Sequence, residues 1–125
     1  TPKWIVKKMV DSLEEENPGC FDNPDKTFID LYMKSGLYIA EIVKRLYQSA
    51  SMKEHFPDGK ARLQHIFAHQ VYGLAPTEII YQIAKNFILG FAQDTAIEKH
   101  NLKLLDSLEY AKSETLESKL DEVFG

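Results

Sequence analysis

Thr27-Phe-Ile-Asp-Leu-Tyr-Met-Lys-Ser-Gly36, followed at once by Leu37-Tyr-Ile-Ala-Glu-Ile-Val-Lys-Arg-Leu46, decides the fold. Residues 27–31 read as a short buried strand, and a tight turn ending in glycine follows. The second stretch is amphipathic, with Ile39, Ile42, Val43, Leu46 and Tyr47 recurring at helical spacing. In α/β proteins a ligand binds at such a junction. The strand's carboxyl end opens into a crevice, and the helix presents unpaired backbone N–H groups there. Glycine lets the turn pass close to a ligand with no Cβ in the way. Asp30 falls near the end of the strand, where a carboxylate orders the turn or accepts hydrogen bonds.

Outward from this junction the chain alternates between two periods. Residues 2–16 read as a helix: Pro2 suits a first turn, and Val6, Met9, Val10 and Leu13 share a face. Asn17-Pro-Gly19 ends it, and Asn23-Pro-Asp-Lys26 is a turn. Beyond the second helix, Phe56-Pro-Asp-Gly59 is a further turn. Residues 60–69 form a short helix with Leu63, Ile66 and Phe67 inward, and residues 70–74 a second strand. Pro76 opens the best helix of the chain. Thr77 is its cap, and Ile79, Ile80, Ile83, Ala84, Phe87 and Ile88 make its apolar face. Residues 101–105 read as a third strand running into Asp106-Ser107, and residues 114–124 as a closing helix with Leu116, Leu120 and Val123 inward. No internal repeat or low-complexity segment occurs.

Strands alternating with helices imply a parallel sheet with right-handed crossovers. The expected fold class is therefore α/β, a partial doubly wound (Rossmann-like) sheet. It would have three parallel strands in order 3-2-1, flanking helices and an N-terminal helix. Residues 1–125 form a single domain, with residues 1–26 as the helix and turn and residues 27–125 as the strand–helix units.

At 125 residues, 44% apolar and 27% charged, the composition is that of an ordinary globular domain. The longest apolar run, Phe87-Ile-Leu-Gly-Phe-Ala92, is far too short to span a bilayer, so no membrane partner is expected. The formal net charge of −4 argues against a nucleic-acid surface within these residues. Cys20 is the only cysteine, which fits a reducing cytoplasm, and it has no basic neighbour in sequence to activate it.

Read in order, four motifs resemble the amino-group DNA methyltransferases of restriction–modification systems, which move a methyl group from S-adenosylmethionine to adenine in DNA. The subclass it is most similar to opens with Thr-Pro and a helix, here Thr1-Pro-Lys-Trp-Ile-Val-Lys-Lys-Met9. An Asp-Pro-x-x-Gly-Ser-Gly junction follows, matched by Asp30-Leu-Tyr-Met-Lys-Ser-Gly36. A second strand with Tyr-Gly matches Val71-Tyr-Gly-Leu-Ala75, and a third strand closing on aspartate matches Leu104-Leu-Asp-Ser-Leu108. The resemblance covers essentially the whole chain. It implies that Thr1 and Gly36 approach the methionine end of the cofactor, with Ser35 among the cofactor-binding residues. It implies that Asp30 holds the glycine turn or contacts the ammonium, and that Asp106, with Ser107 beside it, accepts from the adenine amino group.

The departures are chemical. Lys34 stands at the motif's first glycine and Leu31 at its proline. Lysine takes a positive φ less readily than glycine, so the turn differs or Lys34 reaches the cofactor carboxylate. The ribose-binding acid falls on Ala75, and Glu78 is the nearby carboxylate that could replace it. The family's catalytic Asn-Pro-Pro-Tyr run, which holds a flipped base, does not occur. The expectation is an N-terminal, cofactor-binding piece that is inactive alone. It would meet DNA through other parts of a parent protein, and would self-associate through the open edge of its first strand.

Plainer chemistry accounts for the other polar residues. His65 and His69 lie four apart but lack a third metal ligand, so no metal site is expected. Lys7, Lys8, Lys44 and Arg45 read as solvated helix faces. The other function classes are a noncatalytic interaction domain with a decayed cofactor site, and another Rossmann-like small-molecule enzyme. The second lacks a Gly-x-Gly-x-x-Gly fingerprint at the first junction.

Overall fold

In a computed structural model, residues 2–90, 97, 99–112 and 114–124 are described. Helix α1 (Lys3–Glu16) leads through the Asn23 turn to β1 (Phe28–Asp30) and the glycine turn, and α2 (Leu37–Gln48) follows. Short helices α3 (Ala50–His55) and α4 (Gly59–His65) lead through a π-helical turn (Ile66–Gln70) to β2 (Val71–Ala75). Then come α5 (Glu78–Leu89), β3 (Asn101–Leu104), α6 (Ser107–Lys112) and α7 (Leu116–Phe124).

The three strands are parallel in the order β1-β2-β3, as the alternation of periods requires. Phe28 pairs with Val71 and Asp30 with Gly73, while Tyr72 pairs with Asn101 and Ala75 with Leu104. Two further bonds extend the ladder past the strand ends, Met33 N–H to the Leu74 carbonyl and Leu105 N–H to that of Ala75, both at 2.7 Å. The carboxyl ends of all three strands therefore open on one side.

Helix α2 is the centre of the core. It buries Ile39, Ala40, Ile42, Val43 and Leu46 against the sheet, each large aliphatic contributing about 1.5–3 kcal/mol. Val6 and Val10 of α1 and Ala84 and Ile88 of α5 join the same cluster. Gly73 leaves room for Met33: a Cβ there would stand 2.5 Å from the Met33 Sδ.

Several sequence expectations change. The helix expected over residues 60–69 finishes in the π-helical turn, which carries Gln70 inward. The Gln70 Nε2 donates to the carbonyls of Asn23 (3.0 Å) and Lys26 (3.1 Å), clamping the turn that precedes β1. Helices α3 and α6 had no periodic signal, because each is only about a turn and a half long. The closing helix begins at Leu116, not at residue 114. The apolar face of α5 is only partly covered, with Ala84 and Ile88 buried but Ile79, Ile83 and Phe87 exposed. No helix among the described residues is long and apolar enough to cross a membrane.

Candidate functional site

The β1–α2 junction forms a cleft of about 260 Å³. Asp30, Tyr32, Lys34, Ser35, Gly36, Leu37 and Tyr38 supply one wall, and Val6 and Met9 of α1 close the other. Its backbone begins where β1 stops. The Asp30 Oδ1 accepts from Tyr32 N–H at 3.0 Å, folding the chain back on itself in an Asx turn. Gly36 then takes a left-handed φ of 85° and starts α2 with no side-chain cap. A Cβ on Gly36 would lie 3.0 Å from the Ile88 Cγ1 and 3.1 Å from the Ala84 carbonyl oxygen. The bare glycine thus serves two needs at once, a backbone shape and close packing on α5. Its missing side chain faces α5, not the cleft.

Lys34, by contrast, needs no glycine geometry. Among described non-glycine residues only Glu114 has a positive φ, so the lysine backbone is ordinary and its side chain is exposed at the rim.

Electrostatics distinguish Asp30 from the other carboxylates. Burial pushes its carboxyl above the usual range, and the hydrogen bond from Tyr32 N–H offsets only part of that. Burial also raises the Tyr38 phenol, and the neighbouring Asp30 adds to the effect. An acidic group held partly desolvated in a cleft is an acceptor for a cationic ligand group, which would restore its charge.

The remaining predicted residues sit elsewhere. Asp106 caps α6, its Oδ1 accepting from Leu108 N–H at 3.1 Å. Ser107 is buried, and its hydroxyl donates to the Leu31 carbonyl, tying the end of β3 to the residue after Asp30. Both therefore lie at the carboxyl end of the sheet, but neither lines the cleft. Glu78 is exposed in the first turn of α5, accepts from the Gln82 Nε2 at 3.0 Å, and is also outside the cleft lining. Ala75, where the resembled family has its ribose-binding acid, is fully buried. Thr1 lies outside the described residues.

Sequence reasoning did not place Val6, Met9 and Leu37 at the site. Met9 belongs to the apolar stripe of α1 yet stays exposed, and a stripe residue left over from the core was the available signal. Tyr32 and Tyr38 also line the crevice.

The His65 Nε2 bonds the Pro24 carbonyl at 2.8 Å and its ring stacks on Phe56, while His69 is exposed with its ring 5.3 Å from that of His65. Cys20 is buried, which pushes its thiol up, and Glu14 adds to the rise, so the thiolate is disfavoured. Compared with known proteins, the chain matches no family model and no curated sequence.

Proposed function

We propose that the chain is the S-adenosylmethionine-binding part of a DNA adenine methyltransferase, built on a Rossmann-like half-sheet. The observation that carries this reading is the β1–α2 cleft. There a partly desolvated carboxylate, an exposed lysine and an uncapped helix start meet at the carboxyl end of a parallel strand. S-adenosylmethionine carries an ammonium, a carboxylate, a ribose diol and a purine. Asp30 fits the ammonium, and Lys34 with the first N–H groups of α2 fits the carboxylate. At about 260 Å³ the cleft is slightly smaller than the roughly 300–1,000 Å³ of complete small-molecule sites. It suits the amino-acid end, and the ribose and purine would run past the β2–α5 turn toward Glu78.

When bound, the cofactor would supply an electrophilic methyl group. This chain's own residues do no bond making. Asp30 holds the ammonium, Lys34 and Ser35 hold the carboxylate, and Met9 and Val6 exclude water from the methionine chain. Asp106 is proposed to accept from the purine amino group of the cofactor, with Ser107 fixing its loop onto the end of β1. No Asn-Pro-Pro-Tyr run occurs in the sequence, and on this reading DNA contact and methyl transfer would fall to other parts of a parent protein.

Calorimetry with S-adenosylmethionine, and with methionine and adenosine separately, tests the assignment. The expected result is weak binding of the cofactor and of methionine, with adenosine weakest. Binding of adenosine alone, or no heat from the cofactor at any soluble concentration, would overturn it.

A further inference from the structure

Helix α5 carries more apolar surface than the core uses. Ala84 and Ile88 are buried, yet Ile79 is 73% exposed, Ile83 54% and Phe87 43%. Spaced by four, these three form one line along the helix. At its end Phe87 enters a groove of about 170 Å³ that lies between α1 and α5 on the outer side of α2. Val6 and Ala40 give the groove an apolar floor, and Lys3, Lys7 and Lys44 rim it. Its one acid, Glu41, is nine-tenths buried and accepts from the Arg45 Nε. Among the described residues none of the three lysines forms an ion pair. A chain of net charge −4 thus presents a locally positive, apolar groove.

We propose that this groove docks an acidic amphipathic helix of a separate protein. Aliphatic side chains repeating every helical turn would lie along Ile79, Ile83 and Phe87, and flanking carboxylates would meet Lys3, Lys7 and Lys44. The area argues against a second copy. Three apolar side chains and a small groove fall well short of the roughly 800 Å² per partner that a stable dimer buries. The chain's own acidic helix, α7, is also already engaged, with the Phe124 ring against Tyr72 at 5.1 Å. A nucleic-acid backbone would use the lysines but leave the isoleucine line wet. The groove shares Val6 and Leu37 with the β1–α2 cleft, but the inference does not rest on the methyl-donor reading.

Fluorescence anisotropy with a labelled synthetic helix tests it, the probe having leucine at every fourth position and glutamate on the flanks. The 125-residue chain is expected to bind this probe with a dissociation constant on the order of 10⁻⁵ M. A lysine-flanked version should bind at least about tenfold more weakly. Ile83→Asp, a change at an exposed position, should leave the circular dichroism spectrum unchanged and abolish binding. The double variant Lys7→Glu/Lys44→Glu should invert the preference between the two probes. Equal binding of both probes, no binding up to the probe's solubility limit, or full binding by Ile83→Asp would each overturn the proposal. So would a dimer that Ile83→Asp dissolves, or displacement of the probe by duplex DNA.

Discussion

Two strand–turn–helix junctions lie side by side at the carboxyl end of the sheet, and their helices start in opposite ways. At β1–α2 the helix begins from a left-handed glycine with no side-chain cap, beside a cleft. At β2–α5 the Thr77 Oγ1 accepts from Ile80 N–H at 3.2 Å, and Glu78 is tied to Gln82. One helix start has no side-chain cap, and the other has its cap supplied by Thr77. Position at a strand's carboxyl end is shared, so it cannot by itself mark a site. Capping, and the burial of a nearby carboxylate, separate the two.

The largest expected effect breaks the open junction itself. Gly36→Ala forces a side chain into a left-handed backbone and against Ala84 and Ile88. It should cost about 2–4 kcal/mol of stability in urea unfolding, from strain plus overpacking. Gly90→Ala, which meets nothing within 4 Å, is the control and should stay within about 0.5 kcal/mol.

Asp30→Asn should weaken S-adenosylmethionine about tenfold or more, which is about 1.4 kcal/mol. Its effect on stability runs the other way. Because burial raises the Asp30 carboxyl, the folded chain holds that proton to higher pH than the unfolded chain does. Ionising it therefore removes stability as pH rises just above the ordinary carboxylate range, and the cost persists at neutral pH. Asparagine avoids that cost and still accepts from Tyr32 N–H. The variant should melt at or above the wild-type temperature at pH 7, with no advantage in acid. A lower melting temperature at pH 7 would mean that the charged carboxylate holds the turn together.

Thr77→Ala sharpens the other side of the comparison. It should cost about 1 kcal/mol of stability through the lost cap. Cofactor affinity should hold within about twofold, because the capped junction holds no ligand N–H contact. The smallest effect is expected at Glu78→Gln. Its carboxylate is exposed, so affinity should fall by about twofold at most in calorimetry.

The parallel sheet was legible because the periods are clean. The alternation of short apolar runs with helical stripes fixed three parallel strands, and Thr77 announced its helix by residue type alone. Asp30, Lys34, Ser35 and Gly36 were legible as neighbours along one cleft because they fall in one short stretch of sequence and share one turn. Asp106 and Ser107 were placed at the correct end of the sheet. What local pattern could not show is that they serve a helix start and a loop tie, which depend on the cross-sheet contact to Leu31. The apolar face of α5 was read as wholly inward because periodicity reports a stripe's width, not how much of it the sheet covers. The π-helical turn escaped for a related reason, since its one-residue offset is set by Gln70 reaching the Asn23 and Lys26 carbonyls.

Backbone amide shifts during titration with S-adenosylmethionine test the central contrast most directly. The amides of Gly36, Leu37 and Tyr38 should move first and farthest, while Ile80, whose N–H is held by Thr77, stays in place. Movement centred on Thr77, Glu78 and Ile80 with Gly36 unmoved would contradict the assignment of the open junction as the methyl-donor site.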